Sequence, residues 1–231
     1  MKEVNGMTKK TVVITGANRG IGLEFVRRFL ANGDAVHATY RTTKDGLAEL
    51  NQSNLTCHRM DVRSDEDVSS LIEAVGAPID VLINNAGIAD GRWPSLEAID
   101  LDVTMEVLQV NAIGPVRVTQ CASSWLSEGS KVVMITSLMG SIADCESGRS
   151  YAYRASKTAL NMFTVSMKNE LAQRGVAVLL LHPGWVQTDM GGNRAPINAN
   201  TSVDGMMERI AELTVEQTGA YVQFDGTPVP W

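Results

Sequence analysis

Short runs of β-branched and aliphatic residues alternate along this chain with longer stretches whose apolar positions recur at helical spacing. The runs Thr11–Thr15, Ala35–Thr39, Leu55–Met60, Ile79–Asn84, Lys131–Thr136 and Val176–Leu181 predict strands, and Ala220–Phe224 predicts a last one. Helices are predicted over about Ile21–Ala31, Ser64–Val75, Leu101–Leu126 and Tyr151–Arg174, with one more before the final strand. Most of the strand runs are apolar throughout rather than alternating, as in a sheet covered on both faces. Strand–helix alternation then implies right-handed crossovers and an α/β fold. It predicts a single-domain doubly wound parallel sheet of about seven strands with helices on both faces. In that arrangement ligands gather at the carboxyl ends of the strands, so the residues following each run form the candidate site before any motif is considered. Residues 1–8 read as a flexible N-terminal extension, with Met7 as a possible second start, and 9–231 as the single domain.

Composition changes this picture little. The chain is 44% hydrophobic and 20% charged, with a net charge of -6 from intermixed signs. Without a basic block it has no electrostatic footprint for nucleic acid. No run is long and apolar enough to span a bilayer, and the N-terminal residues carry no hydrophobic signal region, which points to a cytoplasmic protein. Cys57, Cys121 and Cys145 lie far apart with no Cys or His at metal-ligand spacing, so they read as thiols of a reducing compartment and no metal is expected. His37, His58 and His182 each sit in or beside an apolar run and read as core or surface residues.

The first motif is Thr15-Gly16-Ala17-Asn18-Arg19-Gly20-Ile21-Gly22, between the first strand and the first helix. Glycines there permit a tight turn and close backbone approach to a pyrophosphate, and the helix N-terminus offers free N–H groups. That placement predicts dinucleotide binding of the Rossmann type. An acid ending the second strand would bind a ribose 2′-OH, but the strand ends Thr39-Tyr40-Arg41 and the next carboxylate is Asp45. Arg41, with Arg19 in the glycine turn, suits a 2′-phosphate instead, so NADP(H) is expected over NAD(H).

Tyr153 and Lys157 stand four residues apart, on one face of a predicted helix. A phenol titrates near pH ~10 when free, and a neighbouring ammonium favours the phenolate, making an acid/base usable nearer neutrality. Ser137 follows the strand ending Ile135-Thr136, where a hydroxyl can orient a carbonyl oxygen. Asn111, within the long predicted helix, is placed to hold a water linking Lys157 to solvent, or to serve as a buried structural amide.

These motifs, with Asn84-Asn85-Ala86-Gly87 after the fourth strand and Pro183-Gly184-Trp185-Val186-Gln187-Thr188 after the sixth, resemble in their order the short-chain dehydrogenase/reductase family across nearly the whole chain. The stretches Met190-Gly191-Gly192 and Ala195-Pro196-Ile197 and the ending Val229-Pro230-Trp231 are similar to its C-factor and sniffer-type carbonyl reductase branch. The resemblance implies that Tyr153 exchanges a proton with the substrate oxygen and that Lys157 lowers its pKa and binds the nicotinamide ribose. It also implies that Ser137 positions the substrate and Asn111 supports the proton relay. Gly16, Asn18, Arg19, Gly20, Ile21 and Gly22 would surround the pyrophosphate and adenosine ribose, Arg41 the 2′-phosphate, and Asp61 and Val62 the adenine. Asn85, Ala86 and Gly87 would line the cofactor's centre. Pro183, Gly184, Val186 and Thr188 would face the nicotinamide, the backbone near Val186 pairing with its carboxamide. The Ser137-to-Tyr153 spacing departs from the shortest members, implying an extra loop residue or two near Glu146–Gly148.

The expected activity is NADPH-dependent reduction of a small-molecule ketone or aldehyde, or the reverse oxidation of an alcohol. An NADP-binding sensor of C-factor type and a 3-oxoacyl-carrier-protein reductase-like enzyme are the rivals. The substrate pocket is expected from the segment after Thr188, the Ala89–Trp93 loop and the residues before Tyr153. The family's pairing faces imply a homodimer or homotetramer, with Trp125, Met162 and Met167 as candidate contacts.

Overall fold

The computed structural model describes residues 9–89, 93 and 95–231; the expected extension over 1–8 and positions 90–92 of the expected substrate loop lie outside the described residues. Strands β1 (Thr11–Ile14), β2 (Ala35–Tyr40), β3 (Leu55–Arg59), β4 (Val81–Asn84), β5 (Lys131–Ile135), β6 (Ala177–His182) and β7 (Ala220–Gln223) form one sheet. Its order is β3-β2-β1-β4-β5-β6-β7, and every neighbouring pair is parallel. The winding reverses between β1 and β4, which opens a crevice at their carboxyl ends.

Both faces are covered, as the apolar strands require. On one, α1 (Gly20–Ala31) and α6 (Ala199–Glu212) bring Phe25, Phe29, Met206 and Ile210 onto Val12, Ile14, Ala38 and Leu179. On the other, α2 (Asp65–Val75), α4 (Gly114–Ala122) and α5 (Tyr151–Ala172) bring Val68, Val118, Leu160 and Leu171 onto Val13, Leu82, Val132 and Leu180. Each such fully buried side chain contributes roughly 1.5–3 kcal/mol relative to exposure.

The helix starts explain which end carries the site. Ser64 caps α2 by accepting from Asp67 N (3.1 Å), and Asn198 caps α6 by accepting from Thr201 N (2.8 Å). In α1, by contrast, Arg19 makes no side-chain cap and the first turn has no acid. Its N–H groups and positive dipole end are therefore left for a ligand in the crevice.

The single helix expected over Leu101–Leu126 is broken. It consists of α3 (Leu101–Leu108), a π-helical turn Gln109–Ile113, α4, and a 3-10 turn Ser123–Trp125. Pro115 has no N–H to donate to the carbonyl of Asn111, four residues earlier, so an unbroken α-helical ladder cannot pass this point. Of the expected interface residues, Trp125 and Met167 pack partly buried against the core, whereas Met162 is exposed, as are Leu101, Met105 and Phe163 on α3 and α5. Among the described residues no helix is long and apolar enough to cross a membrane.

Candidate active site

A cleft of about 590 Å³ runs along the carboxyl edge of the sheet, from the β2 end to the β6 end. The glycine turn forms its floor. Gly16 has φ +61°, and a Cβ there would lie 2.8 Å from Ala86 Cα; a Cβ on Gly22 would lie 2.4 Å from the Gly16 carbonyl oxygen. Neither position has room for a side chain. Asn85 locks the turn to the loop after β4, its Nδ2 donating to the carbonyls of Thr15 (3.0 Å) and Gly16 (2.8 Å). Thr39 Oγ1 accepts from Gly16 N (3.1 Å), so the ends of β2 and β4 both brace the turn. Gly20, Ile21, Gly22, Ala86 and Gly87 line the same cleft. A backbone cradle that admits no Cβ, beneath an uncapped helix N-terminus, fits a dinucleotide pyrophosphate.

At the β2 end the cleft is lined by Asn18, Arg19, Arg41, Thr42, Thr43, Asp45, Asp61 and Val62. The Arg63 guanidinium grips the Asp61 carboxylate (2.6 Å at the closest) and, with Arg41 nearby, holds it below the usual carboxylate range. Two side chains here escaped the sequence reading. Asp45 returns to the pocket, its carboxylate taking Asn18 Nδ2 (2.6 Å) and Thr43 Oγ1 (2.7 Å). Asp189, from the loop after β6, pairs with Arg19 at 2.6 Å across the mouth of the cleft. Asp45 was visible in the sequence only as the first acid after β2. Asp189 lies 170 residues from Arg19, and no local pattern links them.

At the other end Tyr153 and Lys157 rise one turn apart from the start of α5. The Lys157 ammonium donates to the Ile135 carbonyl (2.9 Å) and sits 5.7 Å from the centre of the Tyr153 ring. Its burial lowers its pKa to about 8. Burial raises the Tyr153 pKa, opposed by a hydrogen bond with Ser137. The lowering expected from Lys157 is therefore not the leading influence in the protein alone. Ser137, nearly buried, accepts from Met139 N (3.2 Å) through its hydroxyl oxygen, which leaves the hydroxyl proton to be donated.

Asn111, fully buried, spends its amide on the protein. Oδ1 accepts from Ile88 N (2.8 Å), and Nδ2 donates to the Ile88 carbonyl (2.8 Å) and to Ser156 Oγ (3.0 Å). The side chain thus fastens the loop after β4 to α5, and both Nδ2 protons are in use. Pro183 and Thr188 line the cleft. Gly184 (φ +80°) has Ile197 and Phe224 where a Cβ would point, and Val186 is buried in a bridge to Ile197, so these two shape the loop from behind. In the loop before α5, Arg149 (φ +76°) and Ser150 (φ +50°) are consecutive non-glycine residues in the left-handed region, a conformation stored next to Tyr153.

His182 ends β6 behind the site. It is buried, its Nδ1 finds no partner among the described residues, and burial pushes its pKa to about 4 against the pull of Asp225 and Asp144. Between pH 6.5 and 4 the unfolded chain binds a proton here that the folded chain does not. This contribution to stability is thus complete above pH 6.5 and is lost on acidification, by about 3 kcal/mol. Urea unfolding at pH 7 and 4.5 should show the loss in the parent protein and a smaller one in His182→Phe; equal slopes would contradict it.

Comparison with known proteins agrees with this geometry. A family profile described as short chain dehydrogenase matches residues 10–198. The chain is 46% identical over 156 residues to C-signal of Myxococcus xanthus, a match covering 67% of this chain and 93% of that protein. Its structure superposes on the carbonyl reductase Sniffer of D. melanogaster with a TM-score of 0.90 at 31% identity, covering 96% of this chain and all of that one (100%). It likewise superposes on an NADPH-bound carbonyl reductase from chicken fatty liver with a TM-score of 0.87 at 31% identity, covering 97% and 100%. The ordered motifs, the doubly wound sheet and these relatives lead to one conclusion: the chain belongs to the short-chain dehydrogenase/reductase family of oxidoreductases, near its C-factor and sniffer-type branch.

Proposed function

We propose that the protein is an NADP(H)-dependent carbonyl reductase in which Tyr153 is the acid/base. The observation that carries this reading is the convergence of Tyr153, Lys157 and the Ser137 turn on one end of a cleft whose floor is the glycine turn. Bound NADP(H) supplies or accepts the hydride. The residues of the chain do the rest. Ser137 turns its hydroxyl proton from Tyr153 to the carbonyl oxygen and fixes its direction. Tyr153 gives its phenolic proton to the developing alkoxide, or takes it back in oxidation. Lys157, held by Ile135, keeps a positive charge on the far side of the phenol and reaches the nicotinamide ribose. The main-chain carbonyl of Asn111, deprived of its α-helical donor by Pro115, accepts a water that returns protons from solvent to Lys157. A panel of ketones and aldehydes assayed with NADPH and with NADH tests the reading. Turnover favouring NADPH is expected; no turnover, or equal use of NADH, would count against it.

Arg41 and Arg19 support the preference for the 2′-phosphate, as does the NADPH bound by the avian relative. Asp189 competes with the phosphate for Arg19, holding it through one guanidinium nitrogen. Their pair is largely exposed, 67% and 76%, and is worth at most ~1 kcal/mol. Asp189→Asn is thus expected to tighten NADPH binding by up to about fivefold in a fluorescence titration. Weaker binding would mean that Arg19 is not a phosphate ligand.

The exposed apolar residues Leu101, Met105, Met162 and Phe163 support a homodimer or homotetramer built on α3 and α5. The unpaired Cys57, Cys121 and Cys145 suit a reducing cytoplasm. Similarity to C-signal favours one second reading, an NADP-binding signalling protein whose effect does not need turnover. Biological activity that survives in Tyr153→Phe would favour it.

A further inference from the structure

The proposed role of Ser137 requires its hydroxyl to point in one direction, yet it sits in an irregular turn between β5 and α5. Main-chain turns hold a side chain only as well as they are themselves held. This one is braced from three sides. From α5, Thr158 Oγ1 (3.0 Å) and Asn161 Nδ2 (3.2 Å) donate to the Gly140 carbonyl, and Asn161 Oδ1 accepts from Thr136 Oγ1 (2.6 Å). From the end of the chain, the Trp231 main-chain oxygen accepts from Ala143 N (2.8 Å) and Ser141 Oγ (3.3 Å). From β7, the hydroxyl of buried Tyr221 donates to the carbonyl oxygen of Ser137 itself (2.5 Å).

The last contact differs in kind. Within the turn the Ser137 carbonyl accepts from Gly140 N (2.8 Å); the Tyr221 hydroxyl adds a long-range grip on the same oxygen, reaching across 84 residues from the edge strand. The Tyr221 ring is pinned against Trp231, 5.3 Å between centres, so the hydroxyl has little freedom to swing away. A phenylalanine would fill the same space on this strand; the hydroxyl adds the bond to Ser137 and an interaction with Asn161, itself a brace of the same turn. Burial raises the Tyr221 pKa to about 12, so the group stays a donor through the working range of pH.

We infer that Tyr221 is a positioning residue for Ser137: its hydroxyl fixes the main chain from which the serine aims at the substrate oxygen. The inference rests on the reductase reading above. It does not make Tyr221 a catalytic group, because it touches neither the reacting atoms nor the cofactor cleft.

The test is a double-mutant cycle of Tyr221→Phe and Ser137→Ala, read as kcat, KM for NADPH and melting temperature. Tyr221→Phe alone should lower kcat about 10- to 100-fold with KM for NADPH unchanged, the cost of misplacing an orienting group. In the Ser137→Ala background the same change should cost nothing further in kcat, because there is no hydroxyl left to aim. The fall in melting temperature from the lost hydrogen bond should instead be the same in both backgrounds. A purely structural Tyr221 would lower kcat equally in both, and that result overturns the inference. So does an unchanged kcat in Tyr221→Phe when Ser137→Ala is impaired, which leaves the reductase reading intact. Undiminished turnover in Ser137→Ala would overturn the role of the serine and this inference with it.

Discussion

Tyr153→Phe is expected to bind NADPH as tightly as the parent protein and to reduce carbonyl substrates about 100- to 10,000-fold more slowly. Removing one oxygen removes the one phenolic proton among the described residues that line the cleft, beside Lys157 and next to Ser137. The ring stays, so the wall of the cleft and its packing stay with it. Neither partner can stand in. The serine proton is committed to orienting the oxygen, and the lysine ammonium donates to the Ile135 carbonyl from behind the ring. Stopped-flow turnover beside a fluorescence titration of NADPH separates the two quantities. Residual turnover within tenfold of the parent protein would mean that the proton comes from elsewhere. A parallel loss of NADPH affinity would mean that the phenol mainly binds cofactor.

The second large effect concerns cofactor choice. Arg41→Asp should weaken NADPH about 10- to 100-fold, the value of a charge-assisted phosphate contact, and change NADH by far less. Arg41 is the better of the two candidate arginines for this experiment. Arg19 already has a carboxylate partner in Asp189, whereas Arg41 lines the same end of the cleft beside Asp61 and adds to the charge that keeps that acid ionised. Asp45, at the same end, is held by Asn18 and Thr43, one on each oxygen. Because Arg41 is exposed, the discrimination should shrink with added salt. Equal loss of NADPH and NADH would show that the substitution damages the pocket rather than its charge.

What was legible in the sequence was whatever is written locally. The apolar strand runs, the glycine turn and the one-turn spacing of Tyr153 and Lys157 each depend on residues within a few positions of one another, and the folded chain has them where the pattern put them. Asn111 shows the limit of this. Its position beside the site was readable, but the continuous helical period hid the π turn, although Pro115 was in plain sight. The contacts that escaped are all between loops or strands far apart in the chain: Arg19 with Asp189, Asn18 with Asp45, Tyr221 with Ser137. Such pairs follow from how β2, β6 and β7 bring their ends together, and periodicity carries no record of that.

The bond between Arg19 and Asp189 also bears on how long a cofactor stays. An internal counter-ion that is already in place when the cleft is empty re-forms as the dinucleotide departs, so it would shorten residence time as well as weaken binding. In many enzymes product release rather than chemistry limits the cycle. A weak surface ion pair at the mouth would then act as a return spring, sacrificing some affinity for a faster exchange of oxidised for reduced cofactor.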